Sequence, residues 1–133
     1  MSGHHSAGEM PVLKDNQLIN VDTLKQKLDD VTVIDVRSAE EIAQSGRIGS
    51  KRWTNIPIKE LPDALKMSPS EFQQKYLVSK PDENDEIVLH CAHGRRGGNA
   101  TLQADSMGYS KAFNLVGGHS AFKQSFPDLS VEK

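Results

Sequence analysis

Apolar residues along the chain form two kinds of pattern: short continuous runs, and stripes that repeat every three or four positions. Three runs predict buried strands, VTVIDV at 31–36, EIVLHC at 86–91 and AFNLV at 112–116. A fourth run, RWTNIP at 52–57, predicts a short strand that Pro57 closes. Apolar strands of this kind are covered on both faces, which is typical of parallel sheets.

Stripes at helical spacing alternate with these runs. Their members are Val21, Leu24 and Leu28; Phe72 and Tyr76; Ala100, Ala104 and Met107; and Ala121, Phe122 and Phe126. Two helix starts carry a capping box, Ser38 with Glu41 and Ser68 with Glu71. The alternation predicts an α/β fold, a parallel sheet flanked by helices on both faces. In such sheets, functional sites form beyond the carboxyl ends of the strands.

Composition narrows the class of protein. The chain has 133 residues, 36% hydrophobic and 26% charged, with a formal net charge of -2. This length suits one domain, which we place at residues 12–133, after a disordered N-terminal tail at residues 1–11. No run approaches the ~20 apolar residues of a membrane span, and no broad basic face is expected. Membranes and nucleic acids are therefore not expected as partners.

The chemistry of the sequence centres on its single cysteine, Cys91, at the end of a predicted strand. One cysteine can form neither an internal disulfide nor a multi-cysteine metal site, so we expect a reducing compartment, no metal and no cofactor. We expect the N–H groups of Gly94, Gly97 and Gly98 to converge as an anion-binding nest.

Arginines and a predicted helix start follow the cysteine. Arg95 and Arg96 add positive charge, and no acidic residue lies between Glu86 and Asp105. Cations and a helix N-terminus favour the thiolate, which is the nucleophilic form of cysteine. The loop therefore predicts a reactive rather than a structural thiol at position 91.

Four motifs, in order along residues 13–127, resemble the rhodanese (thiosulfate sulfurtransferase) family, and in particular its stand-alone single-domain members in eukaryotes. They are DVRSAEEIAQSGRI at 35–48, NIP at 55–57, CAHGRRG at 91–97 and NLVGGHSAF at 114–122. The chain departs from the family pattern at Gly46–Ser50, at His119, where the family usually has an aromatic residue, and at Phe122, where it usually has a tryptophan.

The resemblance implies a rhodanese fold and a cysteine persulfide mechanism. Cys91 would be the catalytic residue, and the substrate-binding residues would be Ala92, His93, Gly94, Arg95, Arg96 and Gly97. Arg96, with Arg95 as a second candidate, would orient the sulfonate of a small sulfur donor such as thiosulfate. Since no second cysteine exists, the thiol or other acceptor must be external; cyanide, glutathione and a thioredoxin-like dithiol all remain open.

Three further residues are interpreted as supports. Arg37 is expected to pair with Glu41 and lock the turn after the first buried strand, and Asp35 is expected to orient the cysteine loop by hydrogen bonding. Strand alternation places His90 on the face opposite Cys91. His119 is expected at the exposed rim of the site.

Two alternatives to sulfur transfer remain. Cysteine phosphatases and arsenate reductases with this fold use Cys-x5-Arg, which would require arginine at position 97, where this chain has glycine. A non-catalytic rhodanese binding module usually lacks the cysteine. The expected location is the cytoplasm, with the mitochondrion as the alternative.

Overall fold

The computed structural model describes residues 11–131. In chain order its elements are β1 (Leu18–Ile19), α1 (Val21–Lys27), β2 (Thr32–Asp35), α2 (Ala39–Ser45), β3 (Arg47–Ile48), β4 (Trp53–Asn55), α3 (Leu61–Lys66), α4 (Pro69–Tyr76), β5 (Ile87–His90), α5 (Arg95–Ser106), β6 (Ala112–Leu115), α6 (Gly118–Ser125) and β7 (Ser130–Val131). Short 3-10 turns precede β1, α3 and β7.

The central sheet has the strand order β1-β6-β5-β2-β4, and all of its neighbouring strands are parallel. A separate antiparallel pair joins β3 to β7. Alternation along the strands divides the apolar core between the two faces of the sheet. Ile34 and Leu89 pack on the side of α3, α4 and α5, whereas Val33 and Val88 pack with Leu24 and Phe122 of α1 and α6. The predicted α/β fold with helices on both faces is confirmed.

Elements with strong local signals lie where the sequence predicts them. Both predicted capping boxes form, at the starts of α2 and α4. The sequence does not predict the strands β1, β3 and β7, because each has only two residues, too few to show a hydrophobic pattern. The sequence analysis does not predict the helix α3 either, although Leu61, Ala64 and Leu65 form a buried stripe at helical spacing.

The predicted tail, residues 1–11, lies outside the described residues except for Pro11. Pro11 is half-buried and lies against α5, since a β-carbon added at Gly98 would be 2.6 Å from its Cγ. Pro11 therefore contacts the domain. Within residues 11–131, no helix has both the length and the apolar character needed to cross a bilayer.

Candidate functional site

The candidate site lies at the carboxyl edge of the sheet. β2 and β5 are neighbouring parallel strands, with Asp35 opposite His90, and Cys91 follows β5 directly. The chain then turns through Ala92, His93 and Gly94 into α5. The structure therefore brings the predicted DVR motif and the cysteine loop to one edge, as expected for this kind of sheet.

Cys91 is held at the base of its loop. Its side chain is 2% exposed, and Sγ accepts a hydrogen bond from the backbone N–H of Gly94 at 3.1 Å. Gly94 is the N-cap of α5 and has φ 129°, a conformation that a side chain would strain. The first turn of a helix leaves its N–H groups without acceptors in the helix, so the positive end of α5 begins at this loop.

The expected nest of three glycines is wrong in its details. Gly97 and Gly98 lie inside α5, and the N–H of Gly98 donates to the carbonyl of Gly94 at 2.8 Å. Gly97 instead allows close packing: a β-carbon there would lie 3.0 Å from Cα of His90 and 3.2 Å from the backbone nitrogen of Cys91. Of the three glycines, Gly94 is the one whose N–H bonds the sulfur, and Gly97 lets α5 approach the end of β5.

The start of α6 holds the other side of the cysteine loop. The N–H groups of His119 and Ser120 donate to the carbonyls of Cys91 and Ala92, at 2.8 and 3.0 Å. Gly118 has φ 64°, and a β-carbon there would lie 2.6 Å from both carbonyl oxygens. Gly118, the second glycine of the motif's pair, is thus needed for close approach to the cysteine loop, a role that the sequence did not reveal.

The DVR motif forms a buried ion pair. Arg37 donates to both carboxylate oxygens of Asp35, from Nε at 3.0 Å and from Nη2 at 2.8 Å. Its guanidinium also donates to Ser45 Oγ at 2.7 Å and to the carbonyl of Gly46 at 2.8 Å, and its Nη1 lies 3.5 Å from Nδ1 of His119. The predicted pair of Arg37 with Glu41 is therefore wrong. The expected hydrogen bond from Asp35 to the cysteine loop is also absent from the described contacts, because Arg37 takes both oxygens.

Glu41 pairs with Arg96 instead. The guanidinium donates to both carboxylate oxygens at 2.7 and 2.8 Å, and the carboxylate also caps α2 through Ser38. The hydrogen bond from Arg96 lowers the pKa of Glu41 to about 2, against burial and with help from Ser38. The same bond raises the pKa of Arg96. This bidentate pair ties the first turn of α5 to α2, a contact between distant parts of the chain that no local pattern indicates.

Two buried histidines lie beneath the loop. His90 Nδ1 lies 3.1 Å from the carbonyl oxygen of Cys91 and donates to it in the tautomer that carries the proton on Nδ1, while its Nε2 is 3.7 Å from Asp35 Oδ2. Its ring stacks on that of His119, with centroids 6.3 Å apart. The prediction that His90 faces away from Cys91 is confirmed, since Cys91 packs in the core on the α5 side. The prediction that His119 is exposed is wrong: it is 3% exposed, because α6 presses its start against the loop.

Burial and charge set the protonation of this group. Burial lowers the pKa of His90, despite the nearby carboxylate of Asp35. Burial and then the Arg37 guanidinium lower the pKa of His119 to about 4. Burial alone would raise the pKa of Asp35, but the attraction to His90, which is charged only when protonated in acid, and the bonds from Arg37 outweigh burial and lower that pKa. Near neutral pH the histidines are neutral and Asp35 is an anion paired with Arg37.

A cleft of ≈ 570 Å³ opens beside the cysteine loop. Its walls come from the loop, from the end of α2 and from α6, and include Ala92, His93, His119, Ser120 and Lys123. Its volume lies within the range of small-molecule sites, about 300–1,000 Å³. Arg95, the first residue of α5, is exposed to solvent. Arg96, the next residue, forms an ion pair with Glu41.

Fold and site together define a rhodanese-type domain, with a cysteine at the carboxyl edge of the sheet and a tight loop leading into a helix. The rhodanese-like domain family matches residues 20–125, and the chain belongs to that family.

Several relatives of the chain are named as sulfurtransferases. The chain is 43% identical over 88 residues to the Homo sapiens thiosulfate:glutathione sulfurtransferase, covering 65% of this chain and 74% of that protein. It is 38% identical over 89 residues to the Mus musculus thiosulfate sulfurtransferase/rhodanese-like domain-containing protein 3, covering 67% of this chain but 55% of that protein. The chain thus spans about half the length of the mouse relative.

A solved structure agrees with this assignment. The human single-domain sulfurtransferase TSTD1 is similar with a TM-score of 0.75 and 37% identity, over 81% of this chain and 96% of that one. These likenesses support sulfurtransferase activity for the chain and confirm the resemblance that its motifs indicate.

Proposed function

We propose that the chain moves a sulfane sulfur atom from thiosulfate, or a similar donor, to an external thiol through a persulfide on Cys91. The hydrogen bond from the N–H of Gly94 to Sγ, at 3.1 Å, is the observation that carries this proposal. The bond places a hydrogen-bond donor directly on the sulfur atom that would act as the nucleophile and carry the second sulfur. The names of the relatives support thiosulfate as the donor and glutathione as the acceptor.

In the first step, the Cys91 thiolate attacks the outer sulfur of thiosulfate. A new S–S bond forms on Cys91, the S–S bond of thiosulfate breaks, and sulfite leaves with the electron pair. The persulfide keeps one negative charge, which the N–H of Gly94 and the positive end of α5 would stabilise. Arg95 is the arginine that we assign to the arriving sulfonate, because the guanidinium of Arg96 is already bound by Glu41.

In the second step, an acceptor thiolate attacks the outer sulfur of the persulfide. The acceptor becomes a persulfide, and the Cys91 thiolate is regenerated as the leaving group. Cys91 is the chain's only cysteine, so the acceptor comes from outside the chain. We place glutathione first among the acceptors, with cyanide and a thioredoxin-like dithiol as the others.

Intact-mass measurement tests this function directly. After thiosulfate treatment, the protein should gain about 32 mass units on Cys91 and lose them to cyanide or glutathione. A Cys91→Ser variant, checked for unchanged folding by circular dichroism, should do neither. An unchanged mass in the unmodified protein would contradict the proposal, and phosphate release from an aryl ester would favour the cysteine phosphatases instead.

For the location we propose the cytoplasm, with the mitochondrion as the alternative. The lone cysteine suits a reducing compartment, and two fungal relatives carry "mitochondrial" in their names. Fractionation of the source cells, followed by immunoblotting, distinguishes the two.

A further inference from the structure

The cleft beside the cysteine loop is much larger than the sulfur donor requires. Thiosulfate has only a few atoms, whereas the cleft has ≈ 570 Å³ and reaches from the loop along α6. Ala92, the chain neighbour of Cys91, is part of its wall, so a ligand in the cleft lies beside the cysteine loop. The excess volume fits a peptide-sized second substrate.

The charge of the cleft is positive. Its lining includes the cations Arg37 and Lys123, and among the described residues no Asp or Glu side chain lines it. The charge of Arg37 is matched by Asp35 at 2.8 Å. Lys123 has no carboxylate within salt-bridge distance in residues 11–131 and donates one hydrogen bond, to the carbonyl of Ser45 at 3.1 Å. Its ammonium group thus keeps an unbalanced charge and two further N–H donors.

Polar side chains accompany Lys123 on the same side of α6. Ser120, Lys123 and Gln124 are three and four positions apart, so they are neighbours on the helix surface, and all three are exposed and line the cleft. Together they offer one cation and several hydrogen-bonding groups. This set suits the carboxylate and amide groups of a small peptide thiol.

We propose that this cleft is the acceptor subsite and that Lys123 selects thiols that carry carboxylate groups. The inference rests on the proposed sulfurtransferase function and extends it to a residue that sets acceptor specificity. The acceptor's carboxylate binds Lys123, and its thiol end reaches Cys91 past Ala92. The same geometry disfavours cationic thiols such as cysteamine, since none of the described residues that line the cleft is an Asp or Glu.

Acceptor kinetics on the persulfide-loaded protein test this assignment. The probes are glutathione and its diethyl ester, which removes both carboxylates but keeps the thiol. In Lys123→Gln, the ratio of kcat/KM for glutathione to that for the diester should fall on the order of tenfold, as expected for the loss of one charged hydrogen bond. Lys123→Glu should lower the ratio further. The matched control is Lys111→Gln, at the opposite end of the sheet, whose ratio should equal that of the unmodified protein.

The binding of S-methylglutathione, which cannot react, separates this proposal from the proposed function. Titration followed by NMR should show weaker binding in Lys123→Gln, whether or not a persulfide forms. A ratio and an affinity equal to those of Lys111→Gln would overturn the subsite. Equal turnover of glutathione and its diester by the unmodified protein would overturn it as well, as would transfer to a dithiol protein alone.

Discussion

Two carboxylate–guanidinium pairs flank the cysteine loop, and they differ mainly in burial. Asp35 and Arg37 are 0% and 2% exposed, whereas Glu41 and Arg96 are 34% and 36% exposed. Both pairs are bidentate and of similar length. Breaking a buried pair leaves an unpaired charge in a medium of low polarity, whereas water can solvate an exposed one. We therefore expect the buried pair to contribute mainly to stability and the partly exposed pair to contribute mainly to the position of the loop.

The largest expected loss of stability comes from breaking the buried pair of Asp35 and Arg37. Arg37→Met leaves the Asp35 carboxylate buried without a cation and should lower the free energy of unfolding by about 3–5 kcal/mol. Urea denaturation measures this loss. The double variant Asp35→Leu/Arg37→Met should be less destabilised than the single one, because it removes both charges. A loss below about 1 kcal/mol in Arg37→Met would contradict the difference drawn between the two pairs.

A smaller loss of stability is expected at acid pH, and it arises from the buried histidines beside the Asp35–Arg37 pair. The unfolded chain protonates His119 below a pKa of about 6.5, but the folded protein does so only below about 4, because burial and then Arg37 disfavour the cation. The free energy of unfolding should therefore fall as the pH drops from 6.5 to 4, and the lowered pKa of His90 acts in the same direction.

His119→Phe removes one of these two titrations. Within that window, the slope of the free energy of unfolding against pH should decrease by up to about 1.4 kcal/mol per pH unit, the value for one proton. Urea denaturation at several pH values between 7 and 4 measures the slope. An identical slope in His119→Phe and the unmodified protein would show that His119 is not buried as a neutral group.

The smallest effect on stability should come from the exposed pair. Glu41→Gln or Arg96→Gln should lower the free energy of unfolding by about 1 kcal/mol or less, since water replaces the lost partner. Either change should slow persulfide formation several-fold, because α5 loses its tie to α2. The matched control Arg95→Gln should leave stability unchanged and raise the KM for thiosulfate. If Arg96→Gln raised that KM alone and left stability unchanged, Arg96 rather than Arg95 would contact the donor.

The partners of these charged side chains could not be predicted from the sequence. Arg37 and Glu41 are four positions apart, a spacing that predicts a local pair, yet Glu41 binds Arg96, 55 positions away. Arg37 turns inward instead, because Asp35 at the end of β2 is fully buried and needs a cation. Partners from distant segments leave no periodic signal, so both assignments required the fold.

The sequence by itself determined the α/β architecture, the capped helices, the place of Cys91 at the end of a strand and the family, because each depends on residues close together in the chain. Continuous apolar runs and stripes with a period of 3.6 residues reflect local geometry, and the spacing within each motif is fixed in the sequence. Only the tertiary structure decided which glycine bonds the sulfur, which arginine remains available to a substrate, and that His119 is buried. Those outcomes depend on how α2, α5 and α6 meet at one edge of the sheet, where burial and competition for partners outweigh local preference.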